Sequence, residues 1–247
     1  MTTMNQTANC KHCGRELSGD FCSACGHPNN LKRIDSRYLL SEISSVLNFD
    51  KGILYTVREL LFRPGESVRR YIREDRSKLM KPVIFVIVCS LLYTLAQQLL
   101  NFETDYAEAN AKAAGESAVR DILVWMQKNY GYANIMMAFV IAFWVRLFFR
   151  KAGYNYFEVL ILLFYVLGVG MLILAVFGIG ESLVGLRLLS LGALIAYVYA
   201  GWAIARFYNK RKKINYLKGI LAYTIGTVTS FAAAILIGML IDAMTGI

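Results

Sequence analysis

The chain of 247 residues contains five cysteines, and four of them fall in two pairs near its start. Cys10 and Cys13 form one pair and Cys22 and Cys25 the other, each a C-x-x-C followed by glycine, with eight residues between the pairs. A tetrahedral zinc site needs thiolates converging at about 2.3 Å from the ion. Two intervening residues let one tight turn offer two sulfurs to the same metal, and the glycine after each pair permits the backbone such a turn demands. The segment is too short to fold around an apolar core, so metal binding would supply its folding free energy. The expected cofactor is one structural Zn2+ held by Cys10, Cys13, Cys22 and Cys25. Two disulfides are the alternative in an oxidising compartment. A redox C-x-x-C is a weaker one, because the tandem motifs stand without a βαβ pattern. His12 and His27 are spare ligands that four cysteines make unnecessary. No open coordination position remains, so the zinc is not expected to be catalytic. Cys89 sits inside an apolar run and reads as a small buried hydrophobe.

Little else in the chain could do chemistry. There is no nucleophile–base pairing, no phosphate loop and no H-E-x-x-H, and both histidines lie in the cysteine module. Proton relays and ion-coupled carriers keep Asp, Glu or His at mid-membrane, and the apolar runs here have none. Glu158 and Glu181 fall at run ends, where Glu181 and Arg187 are a candidate interfacial pair. The reading leans away from an enzyme.

The elements that must carry the cysteine module are apolar. The chain is 57% hydrophobic, above the 45–50% usual for soluble domains, and its mean hydropathy is +0.45. The excess lies beyond Lys81, in runs of about 18–25 residues, the length that crosses roughly 30 Å of hydrocarbon as a helix. The expected fold is an all-α polytopic membrane protein with five spans, near residues 83–100, 132–149, 157–177, 183–207 and 217–241. Residues 1–30 form the metal module, 31–82 amphipathic juxtamembrane helices, and 83–247 the membrane domain. Residues 118–130 read as an amphipathic helix on the outer surface, with Trp125 in the aromatic belt. Glycines in the later spans allow close helix approach.

The formal charge of +10 would point to nucleic acid in a soluble protein. Here the charges cluster beside the apolar runs, as the positive-inside bias of cytoplasmic loops requires, and a nucleic-acid ligand is not expected. Residues 101–131 hold five acids and three bases, whereas residues 206–218 hold six bases and no acid. Arg146, Arg150 and Lys151 fall on the same side as the basic stretch before the first span. Five spans then put the N-terminus in the cytoplasm and the C-terminus outside, in a bacterial cytoplasmic membrane. No signal peptide is visible before the cysteines. A reducing cytosol agrees with zinc thiolates over disulfides.

Between module and membrane, residues 36–48 and 53–61 show apolar residues at helical spacing. Pro64-Gly65 interrupts the pattern, and a third helix is expected from Glu66 to Lys78, with Val68, Tyr71 and Ile72 on one side. Residues 61–82 carry seven Lys/Arg and three Asp/Glu. Arg63, Arg69, Arg70, Arg73, Arg76 and Lys78 are the candidate surface for lipid headgroups or a partner, since an arginine-rich helix beside a span tends to lie in the headgroup layer.

The segment from Cys10 to His27 resembles the short zinc ribbons at the N-termini of many bacterial proteins, which are mostly structural or interaction modules. With Phe62-Arg-Pro-Gly65, Tyr71-Ile-Arg73, Arg76, Lys78 and Pro82, residues 10–100 resemble an uncharacterised family of bacterial membrane proteins described as a domain of unknown function. The resemblance implies no activity. That family often carries Glu-His before a later span, where this chain has Glu158-Val159. The leading expectation is a non-enzymatic scaffold, recruiter or regulator in the bilayer, meeting a protein partner through the ribbon or the juxtamembrane helices. A small transporter or permease with a regulatory ribbon is the alternative, and a lipid-modifying membrane enzyme a third reading.

Overall fold

The computed structural model describes residues 14–15, 23–25, 52–76, 78–100, 117–209 and 212–245. The chain divides into two compact units, Met1–Val46 and Leu47–Ile247. Cys10, Cys13 and Cys22, and the helix expected over 36–48, lie outside the described residues. Of the first unit, residues 23–25 form a turn, and Gly14, directly after Cys13, has φ +75°.

The described part of the second unit is helical, with no strand among the described residues. In chain order the helices are α1 (Ile53–Phe62), α2 (Pro64–Arg73), α3 (Pro82–Leu100), α4 (Ala118–Lys128), α5 (Tyr130–Phe148), α6 (Tyr156–Val184), α7 (Leu189–Asn209) and α8 (Ile214–Thr245). Helices α3, α5, α6, α7 and α8 are long and apolar enough to cross a membrane. The protein is therefore a multi-pass membrane protein, with the span number expected from the sequence.

Helix α6 is the axis of the bundle. It packs against α3, α5 and α7, and α8 closes the far side against α5 and α7. The most apolar stretch of α6 is 72% buried, against 22% for α3 and 17% for α8. The outer helices therefore present side chains such as Leu99, Leu236 and Met244 outward, as lipid-facing surfaces do. Some interior contacts come down to backbone distance, as where Gly226 of α8 meets Ile141 of α5.

The largest differences from the sequence reading fall at two places. Helix α6 runs through Gly178 and Gly180 to Val184, so the fourth span begins at Leu189 and not near residue 183. The terminator is Gly185, which takes the left-handed conformation (φ +71°) and donates its N–H to the Glu181 carbonyl at 2.8 Å, the usual way a glycine closes a helix. Helix α2 begins at Pro64, a favoured first helical residue because its missing N–H would be unpaired there anyway, and ends at Arg73, short of Lys78.

Contacts fix which helix ends lie together. Ser182 bonds the Leu100 carbonyl (3.2 Å), and Asp242 accepts the Ala118 N–H (2.6 Å), so one end gathers α4, the α6–α7 turn and the end of α8. The opposite end gathers α1, α2, the start of α3, residues 146–156 and the α7–α8 connection.

Candidate functional site

The juxtamembrane residues form a collar fixed to the second of these ends. Its first tie is backbone against backbone. A Cβ on Gly65 would lie 2.2 Å from the carbonyl carbon of Arg206 and 2.4 Å from the nitrogen of Phe207. Only a residue without a side chain lets the first turn of α2 come this close to α7.

Four residues later, Arg69 donates from Nη1 to the carbonyls of Arg206 (2.6 Å) and Phe207 (2.7 Å). These carbonyls belong to the last turn of α7, where oxygens have no intrahelical partner and a cation also meets the negative end of the helix dipole. Tyr199 of α7 donates its hydroxyl to the Leu60 carbonyl (3.0 Å), so α7 in turn satisfies the last turn of α1.

The strand of chain before the first span is held just as closely. Thr56, fully buried, donates to the Gly52 carbonyl (3.0 Å) and accepts the Met80 N–H (3.0 Å). Tyr165 of α6 donates to the Met80 carbonyl at 2.7 Å. Both backbone groups of Met80 are thus paired with side chains from different helices. Ser67 joins α2 to α1 by donating to Glu59 at 3.0 Å. Val68 is fully buried, and the Tyr71 ring meets Tyr165 edge to face at 5.7 Å. The apolar face of α2 therefore packs on α7 and α6.

The six basic residues singled out in the sequence have different surroundings. Arg69 turns inward onto α7. Arg70 is half-buried between Glu66 (3.5 Å) and Glu74 (3.8 Å). Arg73 lies over the Tyr154 ring, 4.8 Å from its centroid, a favourable cation–π geometry. Arg63, Arg76 and Lys78 are exposed around the rim. A crevice of about 10 Å3 brings Arg70 and Lys78 beside Glu59 and Asp75, with room for about one water molecule.

Sequence reasoning missed Thr56, Tyr165 and Tyr199 as tethers. Each is a single hydroxyl in an apolar run and carries no local motif. Glu158, at the position where the resembled family carries Glu-His, closes a capping box: Asn155 accepts the Glu158 N–H (2.9 Å) and Glu158 accepts the Asn155 N–H (2.8 Å). Glu181 caps the start of α7 by accepting the Leu189 N–H (2.7 Å); among the described residues it forms no ion pair with Arg187. Within the bundle, Asn134, Tyr130 and Tyr223 border a cavity of about 30 Å3, the scale of a water molecule or two and not of a substrate.

No curated protein and no solved structure matches the chain. Residues 50–94 match the sequence model of a family described as a protein of unknown function, DUF3667; the matched stretch contains α1, α2 and the first part of α3, the segments that build the collar and lead it into the first span.

Proposed function

We propose that the protein is a non-enzymatic membrane scaffold with an N-terminal zinc ribbon and a collar docked on the bundle, and that the ribbon or the collar recruits or regulates a cytoplasmic or membrane partner. The observation that carries this reading is the docking of α1 and α2 on α7 through Gly65, Arg69 and Tyr199. A tether meant only to span distance has no need of backbone contact with the bundle. This one is built as a platform, and the family match falls on it.

The zinc reading rests on the chemistry of four thiolates in two C-x-x-C-G knuckles and is supported by the left-handed Gly14 after the first pair. Cys10, Cys13, Cys22 and Cys25 would hold the ion, whose contribution is to fold the ribbon. The collar end carries the basic loops, so the positive-inside bias puts it, with the ribbon, in the cytoplasm of a bacterial inner membrane and the C-terminus outside. The exposed Arg63, Arg76 and Lys78 offer the partner its first electrostatic contact.

Purification from native membranes tests the reading, comparing wild type with a variant in which the four cysteines are serine. The expected result is one zinc per chain by elemental analysis in wild type, and a set of co-purifying proteins lost in the variant. Metal-free wild type, or an identical set of partners in both, would sink the proposal.

A further inference from the structure

The turn after α5 and the connection into α8 border an open cavity of about 520 Å3 at the collar end of the bundle. Four cations line it: Arg150 and Lys151 from the short 3-10 turn Arg150–Ala152, Lys212 from the α7–α8 connection, and Lys218 from the start of α8. Among the described residues no acid lines it and the ion pairs are those of Arg70, so none of the four cations is neutralised by a described carboxylate there. Glu158, two residues into α6, is engaged by the Asn155 N–H and does not line the cavity.

The wall between the cations is aromatic. Phe149 and Tyr208 stack with parallel rings, centroids 3.9 Å apart. Asn215, buried, donates to the Asn209 carbonyl at 3.1 Å and holds the α7–α8 connection in place. Beside the cations the lining becomes apolar at Ile214, which is 52% exposed, and the neighbouring Leu217 is 55% exposed. The cavity therefore lies where the spans end, with positive charge on one side and outward apolar surface on the other.

We propose that this cavity binds a phosphate group, supplied by the headgroup of an anionic phospholipid. Cations without acidic partners match a multiply charged oxyanion, and the arginine fork suits phosphate oxygens. The volume lies in the range of small-ligand sites. Basic recesses between helices at the membrane surface are suited to anionic headgroups, and Ile214 gives the attached acyl chains an apolar surface on which to leave. A soluble phosphate ester shares the phosphate chemistry but would gain nothing from that surface.

The test uses the full chain, stripped of lipid in detergent and titrated by native mass spectrometry. The probes are dioleoylphosphatidylglycerol, dioleoylphosphatidylcholine, inorganic phosphate and sn-glycerol 3-phosphate. The cavity variant combines Arg150→Gln, Lys151→Gln, Lys212→Gln and Lys218→Gln. The control removes as much charge from the same end, outside the cavity, by Arg58→Gln, Lys81→Gln, Arg146→Gln and Lys213→Gln. Phosphatidylglycerol should bind wild type and the control alike, and the cavity variant at least about tenfold more weakly. Single Lys212→Gln and Lys218→Gln variants, each weaker by a few-fold, give the same answer should the combined variant not fold. Equal losses in cavity and control variants, or phosphatidylcholine bound as tightly as phosphatidylglycerol, would overturn the site. If glycerol 3-phosphate binds with the same dependence on the four cations and phosphatidylglycerol does not, the phosphate site stands and its lipid source is overturned.

Discussion

Gly65 sets how closely α2 can approach the bundle. A methyl group there would overlap the Arg206 carbonyl carbon, which is backbone and cannot rotate away. Gly65→Ala should therefore push α2 off α7 and cost about 1–3 kcal/mol, as overpacking of tight contacts does. Thermal unfolding in nanodiscs checks this, and an unchanged midpoint would contradict the contact. Arg69 is a second case. Arg69→Met keeps much of the apolar stem but leaves the last carbonyls of α7 without their donor, a loss of about 2 kcal/mol for hydrogen bonds to a charged group. Arg69→Lys should recover part of that loss, because an ammonium restores charge and one donor without the planar fork. Equal stability of Met and Lys variants would show that the two bonds contribute nothing. The Phe62-Arg-Pro-Gly65 motif was legible in the sequence, but its partner was not. The partner is a pair of main-chain groups some 140 positions away, at Arg206 and Phe207, and main-chain groups have no sequence signature. The same limit hid the inward turn of Arg69: by residue type it read as one more cation on a basic face.

At the scale of elements, the five spans were legible because apolar runs of membrane length have few other uses. The end of α6 was not. The span expected to end near residue 177 continues through Gly178 and Gly180, and the residue that ends it is Gly185. A glycine that permits close packing and a glycine that closes a helix are the same letter, and only the backbone conformation separates them. Helix α4 was visible from its apolar spacing, whereas its anchor was not. Asp242, in the last turn of α8, accepts the first amide of α4 and lies where the dipole of α4 favours a negative charge. Val119 meanwhile packs against Gly238 of α8. Asp242→Ala should cost about 1 kcal/mol at that helix start. Hydrogen exchange at residues 118–121 should quicken several-fold relative to α6, which serves as an internal reference. Exchange at α4 that is indifferent to the substitution would mean that the cap plays no part in seating the helix.

For the whole molecule, the division at residues 46 and 47 separates two kinds of stability. The bundle has a buried core running through α6, with Phe85, Tyr93 and Tyr165 fully enclosed, and among the described residues no cluster of His, Cys, Asp or Glu is placed to hold a metal. The zinc ribbon proposed for residues 10–28 has too few residues for such a core, so its folding should depend on zinc bound by Cys10, Cys13, Cys22 and Cys25. Chelation should therefore act on one unit alone. With a strong chelator at neutral pH, amide exchange over residues 10–28 should rise toward that of an unfolded chain. The unfolding midpoint of the bundle should stay within about 2 °C, since no ligand of the second unit has been removed. Restoring zinc should reverse the exchange. Lowering the pH should imitate the chelator, because protons compete with the metal for thiolates and binding releases them; the sign is loss of ribbon protection as pH falls, with none of the reverse on raising it from neutrality. A fall in the bundle's own midpoint on chelation would show that the two units fold as one. Protection of residues 10–28 that persists without metal would show that something other than zinc holds the four cysteines together.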